Sequence, residues 1–254
     1  MTSNRPFSGV TVLDFSRVLA GPFCTALLAD MGADIIKVEP PSGDDQRAMG
    51  AFKNGISISF ELTNRNKRSI RLDLKDPEGL DIARALAARC DVVVENFRPG
   101  VARKLGIDYT TLSKGRKDLV YCSISGFGQA GPLASSPSYD VIAQALSGLM
   151  SITGAPDAEP MMVGDSVGDT VSGLFAAWVG QSPGASAMRG CVAMRCWNSP
   201  ACRSGRARRG SGPDLCPAPN SVMRSGARRM MRMGRSSDVV TEIQTAAAAM
   251  DGLA

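Results

Sequence analysis

Asp169 sits in the run Val163–Trp178, with Gly164 and Gly168 before it, Gly173 after it, and a largely apolar stretch beyond. A carboxylate flanked by glycines at the expected start of an apolar helix is a candidate catalytic residue. Gly168 lets a substrate come close to the backbone. The helix that follows turns its positive end toward an anionic group. The same residue also reads as a helix N-cap, the usual role of Asp before an apolar helix. Asp165, four residues earlier, is a competing carboxylate, better suited to a loop.

What the chain lacks narrows the chemistry. Its 254 residues include no histidine, which removes Ser-His-Asp and Cys-His catalysis and His-ligated metal sites. Carboxylates, Tyr, Lys and Cys are left. None of the 7 cysteines forms a C-x-x-C pair, so a zinc ribbon or thioredoxin-like motif is not expected. Cys24, Cys90 and Cys122 fall in apolar or helical contexts and read as small core residues. No metal site is implied.

The elements that must position Asp169 alternate strand and helix. Val10–Phe15 reads as a first strand, ending in a turn at Ser16-Arg17. Gly21-Pro22 opens a helix that Gly32 ends. Asp34–Glu39 is a second strand, stopped by Pro40-Pro41. Residues 42–65 read as a loop with at most a short helix. Arg68–Leu74 alternates like a half-exposed strand. Asp76-Pro77-Glu78 starts a helix running to about Arg89. Asp91–Glu95 is a buried strand, and helical pieces cover roughly 99–105 and 109–115. Leu119–Ile124 is a further strand and Tyr139–Met150 a further helix.

This succession predicts an α/β fold over residues 5–180: a Rossmann-like, doubly wound, mostly parallel sheet. Ligands of such sheets bind beyond the C-terminal strand ends. Those ends carry Ser16-Arg17, Glu39-Pro40, Glu95-Asn96-Phe97 and Ser125-Gly126-Phe127. No G-x-G-x-x-G follows the first strand and no G-x-x-x-x-G-K-[ST] occurs, so no standard phosphate loop announces the ligand.

Six blocks in order resemble the class III CoA-transferases, the family of formyl-CoA transferase, carnitine CoA-transferases and α-methylacyl-CoA racemases. They are Leu13–Pro22, Gly32–Glu39, Asn66–Ile70, Val94–Gly100, Ser125–Gln129 and Gly168–Phe175. The resemblance runs from about Phe7 to Trp178. It implies that Asp169 is the nucleophile, attacking an acyl-CoA thioester to give a mixed anhydride that CoA converts to an aspartyl-CoA thioester. An incoming carboxylate then takes over the CoA. It implies that Val18, Leu72, Asn96, Phe97, Lys104 and Leu105 line the CoA site, with Arg17 and Leu19 beside the pocket. Tyr139 and Asp140 match positions near the reacting thioester. Coenzyme A thioesters are then substrates, with no permanently bound cofactor, and the partners are acyl-CoA, a small carboxylic acid and, for the intact family fold, a second copy of the chain. The racemase branch carries a proton-transferring histidine in the Tyr139 block. Racemisation needs a base on each face of the α-carbon, so transfer is favoured over racemisation.

Past Gly180 the composition changes. Residues 1–180 hold 18 Lys and Arg against 20 Asp and Glu, whereas residues 181–254 hold 11 Arg, no Lys and 4 acids. The overall net charge of +5 therefore resides in the tail. Residues 181–236, rich in Arg, Ser, Gly, Pro, Cys and Met, are expected to be disordered, and 237–254 to form a short helix. The tail has one aromatic residue, Trp197, and no stacking surface, so specific nucleic-acid binding is not expected. The switch resembles an out-of-frame reading of a GC-rich gene, placing a frame change near residues 178–181. On that expectation the family's second domain is missing, dimerisation is in doubt, and the alternative is a catalytically inactive CoA-binding or subunit-interaction fragment. No apolar run approaches the roughly 18–20 residues that span a bilayer, and no signal peptide opens the chain, so a cytoplasmic location is expected.

Overall fold

The computed structural model describes residues 5–116, 118–179 and the backbone of 191–193. Six strands form the central sheet: β1 (Thr11–Asp14), β2 (Asp34–Glu39), β5 (Lys67–Arg71), β6 (Val92–Glu95), β7 (Val120–Ser125) and β8 (Cys191–Ala193). Their spatial order is β5-β2-β1-β6-β7-β8, and each neighbouring pair is parallel. Counting only these strands, the order is 3-2-1-4-5-6, that of a doubly wound sheet. The order reverses between β1 and β6, which pair through Val12 with Val92 and Asp14 with Val94. That reversal opens a crevice at the C-terminal edge.

Side-chain alternation along the strands builds two cores. On one face Val12, Ile35, Val92 and Val94 pack with Cys24 and Leu28 of α1 (Ala20–Asp30) and with Ala176 and Ala177 of α7 (Val167–Val179). On the other, Leu13, Phe15 and Val93 meet Ala83 and Ala87 of α3 (Pro77–Ala87), together with Ile107 and Leu119. Two short helices, α4 (Val101–Leu105) and α5 (Tyr109–Leu112), cover this second face with Ala102, Leu105 and Leu112.

α1 leaves β1 and α7 leads toward β8, so in a parallel sheet both helices begin at the C-terminal edge. They cross closely because Gly173 has no side chain. A Cβ there would lie 2.6 Å from the Ala20 carbonyl oxygen and 3.2 Å from the Cys24 nitrogen.

Residues 42–65 are more ordered than the sequence suggests. A 3-10 helix, Asp45–Ala48, is followed by the hairpin β3 (Phe52–Lys53) and β4 (Ile56–Ser57) and by α2 (Ile58–Asn64). The hairpin turns on Asn54 and Gly55, with φ of 53° and 77°. Two central residues at positive φ are what a type I′ turn needs, and Asn-Gly is its preferred pair. Ser57 then caps α2 by accepting the Phe60 N–H.

Smaller differences concern boundaries. β5 starts and stops before the expected Arg68–Leu74, and α6 (Asp140–Ser147) ends at Gly148, in the left-handed region, before a 3-10 turn over Leu149–Ile152. Cys191–Ala193 lies inside the stretch expected to be disordered, yet it pairs with Ser123–Ser125. A strand edge pairs through its main chain and asks little of the partner's side chains. The remainder of 181–236, the expected helix 237–254 and the sequence consequences of a frame change lie outside the described residues.

Candidate functional site at the sheet switch point

The chain leaving β1 is held by buried charges. Asp14 is fully buried and accepts from the Ser16 and Thr25 hydroxyls and from Lys67, whose ammonium is 3.1 Å away. Burial alone would raise the Asp14 carboxyl, but Lys67, Lys37 and the two hydroxyls overcome it and hold it below its usual value. Lys37 donates to the Ser16 carbonyl at 2.9 Å and pairs with Asp44 at 2.7 Å, both side chains being 1% exposed. Asp44 in turn accepts the Val18 N–H at 3.1 Å and the Gln46 N–H at 3.0 Å. One buried ion pair therefore grips the Ser16 carbonyl and the Val18 amide.

Val18 has φ of 65°, a conformation costly for a β-branched residue and seen where surrounding contacts over-determine it. Those contacts are the Asp44 and Lys37 hydrogen bonds. Asp44 is itself fixed by its own N–H, which donates to Glu39 at 2.9 Å. Glu39 also receives Arg47 at 2.7 Å through each oxygen, and the Ser69 hydroxyl. Burial opposes ionisation of Glu39, but these donors lower its pKa to about 2.

Across the switch point, Asn96 follows β6. Its side chain accepts the Arg17 N–H at 2.9 Å and donates to the Arg17 carbonyl at 2.7 Å. The side-chain amide thus pairs with the main chain as a strand neighbour would, tying together the loops after β1 and β6. The Arg17 side chain stays exposed, 3.3 Å from Asp45. Leu19 is the N-cap residue of α1. Leu72, at the end of β5, joins Phe97 and Leu105 in the second core, while Lys104 is exposed on α4. Glu95 accepts the Ser123 hydroxyl and the Phe97 N–H, and burial raises its carboxyl above the usual value.

Asp169 lies on the first turn of α7 as its third residue, inside the helix and not at the cap position. Its N–H donates at 3.1 Å to Asp140, the buried first residue of α6. Burial, with the Asp140 charge as a second cause, raises the Asp169 carboxyl to about 6. Tyr139 precedes Asp140 as the α6 N-cap residue, with its ring exposed.

Asp169 is also linked to the β1 loop through packing. It precedes Gly173 by one turn, about 6 Å along the helix, and Gly173 packs on Ala20. Next to Ala20, Gly21 abuts the Ser16 side chain, and a Cβ there would lie 3.4 Å from Asn96. The structure therefore brings Arg17, Asn96 and Gly21 into one cluster, Leu72, Phe97 and Leu105 into another, and Asp140 against Asp169, while the Tyr139 ring beside Asp140 in the chain stays exposed.

The sequence reading missed Lys37, Asp44 and Gln144. Asp140 and Gln144 carry a legible i, i+4 signal, since such pairs face each other on a helix. Lys37 and Asp44 carried none, because a Lys inside an apolar strand gives no sign of its partner. Cys24 and Cys90 are buried, and burial pushes the Cys90 thiol to about 11 and Cys24 well above its usual value. Among the described residues no helix is long and apolar enough to cross a membrane.

The sequence profile of CoA-transferase family III matches residues 7–180. The chain is 49% identical over 176 residues to the succinyl-CoA:glutarate CoA-transferase of Mus musculus, a match covering 68% of this chain and 40% of that protein. It is 47% identical over 192 residues to the succinate–glutarate CoA-transferase of Agrobacterium fabrum, covering 72% and 48%. It is 48% identical over 172 residues to the acetyl-CoA:oxalate CoA-transferase of Acetobacter aceti, covering 67% and 44%. The crystal structure of a CAIB/BAIF family protein from Brucella suis superposes with a TM-score of 0.69 at 42% identity, over 74% of this chain and 50% of that one. The match therefore spans half or less of the length of each of these relatives.

Proposed function

The chain belongs to CoA-transferase family III, and from that premise we propose that it carries the CoA-transfer half-site of an enzyme moving coenzyme A from an acyl-CoA to a carboxylic acid through Asp169. The observation that supports this reading most is the placing of Asp169. It is a partly buried carboxylate on the first turn of a helix, beside a second carboxylate, at the edge where a doubly wound sheet takes its ligands.

The steps balance without a proton. A carboxylate oxygen of Asp169 attacks the thioester carbonyl carbon, the C–S bond breaks, and CoA leaves as thiolate. The thiolate attacks the Asp169 carboxyl carbon of the resulting anhydride, releasing the donor acid as a carboxylate and leaving an aspartyl-CoA thioester. The acceptor carboxylate attacks that thioester, and the freed thiolate attacks the acceptor side of the new anhydride, restoring Asp169. Each nucleophile and leaving group is an anion, so the steps call for no general acid or base, and the absence of histidine is no obstacle to them.

A carboxyl with a pKa of about 6 is about nine-tenths ionised at pH 7. It is more basic than an ordinary aspartate, and nucleophilicity rises with basicity. Partial removal of its water shell acts in the same direction. Val18, Asn96, Phe97, Leu72, Lys104 and Leu105 are the candidate CoA contacts, with Arg17 and Leu19 at the margin. Tyr139 and Asp140 face the acyl group on this reading.

Succinyl-CoA as donor and glutarate as acceptor, the pair in the mouse relative's name, are the first substrates to try. The full chain is mixed with succinyl-CoA, quenched with hydroxylamine and mapped by peptide mass spectrometry. The expected product is a hydroxamate at Asp169, absent from Asp169→Ala. No adduct, or an adduct on another residue, would overturn the assignment. CoA-ester binding without an adduct would instead identify a binding-only chain.

A further inference from the structure

Gln144 sits one turn into α6 and is 1% exposed. Its Oε1 accepts the Val163 N–H at 2.8 Å. Its Nε2 donates to the Asp165 carbonyl at 3.0 Å and to the Asp140 carboxylate through Oδ2. Both amide hydrogens and an oxygen lone pair are thus engaged, and only one orientation of the amide satisfies them. A flipped amide would set Oε1 against the Asp140 carboxylate and the Asp165 carbonyl, and NH₂ against the Val163 N–H.

The arrangement has a direction. Gln144 occupies one oxygen of Asp140, and the other, Oδ1, accepts the Asp169 N–H. The same amide holds the main chain at Val163 and Asp165, the segment that delivers the chain into α7 four residues before Asp169. Asp169 is consequently fixed from two sides by one buried side chain that does not touch it.

We propose that Gln144 is the positioning residue of this site, setting through Asp140 and the 163–165 segment where the Asp169 carboxylate stands relative to the bound thioester. The inference rests on Asp169 being the reacting carboxylate. Near-attack geometry is unforgiving, and a displacement of about 1 Å can cost on the order of a hundredfold in rate. A side chain that only supported the fold would lower stability without separating binding from chemistry.

Gln144→Met keeps the approximate length of the side chain and removes all three hydrogen bonds. In the full chain it is expected to slow adduct formation at saturating succinyl-CoA at least about tenfold, while the concentration giving half-maximal rate changes less than about twofold. Hydrogen exchange of the peptide spanning 163–170 should rise, with β1 and β6 peptides unaffected. Gln144→Glu puts an acceptor where Asp140 needs a donor. Combining it with Asp140→Asn reverses the polarity of the pair, since the new amide NH₂ can donate to the introduced carboxylate while its oxygen still accepts the Asp169 N–H. The double variant should form adduct faster than Gln144→Glu alone, a coupling read from the double-mutant cycle.

Unchanged exchange over 163–170 together with an adduct rate within twofold of wild type would overturn the proposal. Should Gln144→Met not fold, the polarity-swapped pair decides, and a double variant no faster than Gln144→Glu alone overturns it. Should the wild-type chain form no adduct, the transfer reading fails by itself, and the exchange measurement still decides whether Gln144 sets the position of Asp169.

Discussion

Asp140 accepts the backbone N–H of Asp169 at 3.1 Å, so two acidic residues 29 positions apart meet at the first turns of two helices, α6 and α7. The contact does two things at once. It satisfies a main-chain donor that the start of α7 leaves without a helical partner. It also brings a second carboxylate near the Asp169 side chain, adding to the effect of burial on its ionisation.

The pH profile of the reaction should report this pair. On the proposed transfer reading Asp169 attacks only when ionised, and its carboxyl is raised to about 6. The adduct rate at saturating succinyl-CoA is expected to hold above that pH and to fall about tenfold per unit below it. Asp140→Asn keeps an oxygen to accept the Asp169 N–H but removes the charge. The acidic limb should then move to lower pH without reaching the range of an ordinary aspartate, because burial remains. A wild-type limb centred at the ordinary aspartate value of about 3.9 would contradict a buried Asp169 beside a second charge.

The same shift makes Asp169 costly to the fold at neutral pH. Its folded value of about 6 stands above its ordinary value of 3.8. The stability linked to this group is therefore complete below about pH 3.8 and lost as pH rises through about 6. Asp169→Asn carries no charge to bury. The variant should be more stable than wild type at about pH 7.5, by on the order of 1–3 kcal/mol, and the difference should vanish below about pH 4. Urea midpoints measured at those two pH values test this, and a variant less stable than wild type at the higher one would count against it.

Strand and helix positions were legible wherever apolar alternation coincided with a Gly or Pro boundary, as at Asp34–Glu39 before Pro40 or Pro77 opening α3. The hairpin at Asn54-Gly55 escaped the reading of residues 42–65 as a loop, because its strands are two residues each and show no alternation on either side of the turn pair. Asp169 stood out from its glycine-flanked helix start, whereas Asp140 could be named only from the family resemblance, since nothing local in either segment points to the other. Lys37 and Asp44 act through contacts that appear only when the loops fold against one another, and so do the bonds of Gln144 to Val163 and Asp165; only its i, i+4 spacing from Asp140 is legible in the sequence. A buried lysine such as Lys37 reads in the sequence as an exposed strand position.

Gly173 should tolerate no side chain. A Cβ there meets the Ala20 carbonyl oxygen at 2.6 Å and the Cys24 nitrogen at 3.2 Å, and neither backbone atom can rotate away. Gly173→Ala is expected to push α1 and α7 apart at a cost of roughly 1–3 kcal/mol, the range for overpacking. Because Asp169 lies one turn upstream on α7, the adduct rate should fall as well. Gly164→Ala serves as the stability control, since a Cβ at that position has nothing within 4 Å. Equal melting temperatures for the two variants would show that the two helices have room to spare at their crossing.

The β1 loop depends on a chain of contacts that begins at Arg47. Its guanidinium grips Glu39, Glu39 holds the Asp44 N–H, and Asp44 holds Val18 at positive φ. Glu39 is lowered from 4.5 to about 2. Its contribution to stability is therefore present above about pH 4.5 and lost as pH falls toward 2. Arg47→Met leaves a buried carboxylate with fewer donors. Removing one partner of a fully buried pair costs roughly 3–5 kcal/mol, but the Arg47 side chain is 40% exposed, so about 2 kcal/mol at pH 7 is expected after allowing for solvent screening. The gap between wild type and variant should narrow below about pH 4.5. A remainder of about 0.5 kcal/mol should persist at low pH, because Arg47 also stacks on the Phe60 ring at 3.8 Å and keeps its charge there. If Val18 contacts CoA, the variant should also bind succinyl-CoA more weakly, since the loop loses the contacts that hold its strained residue. A gap that stays constant from about pH 7 to about pH 2.5 would show that Arg47 stabilises the fold through its stem and the Phe60 ring, and not through Glu39.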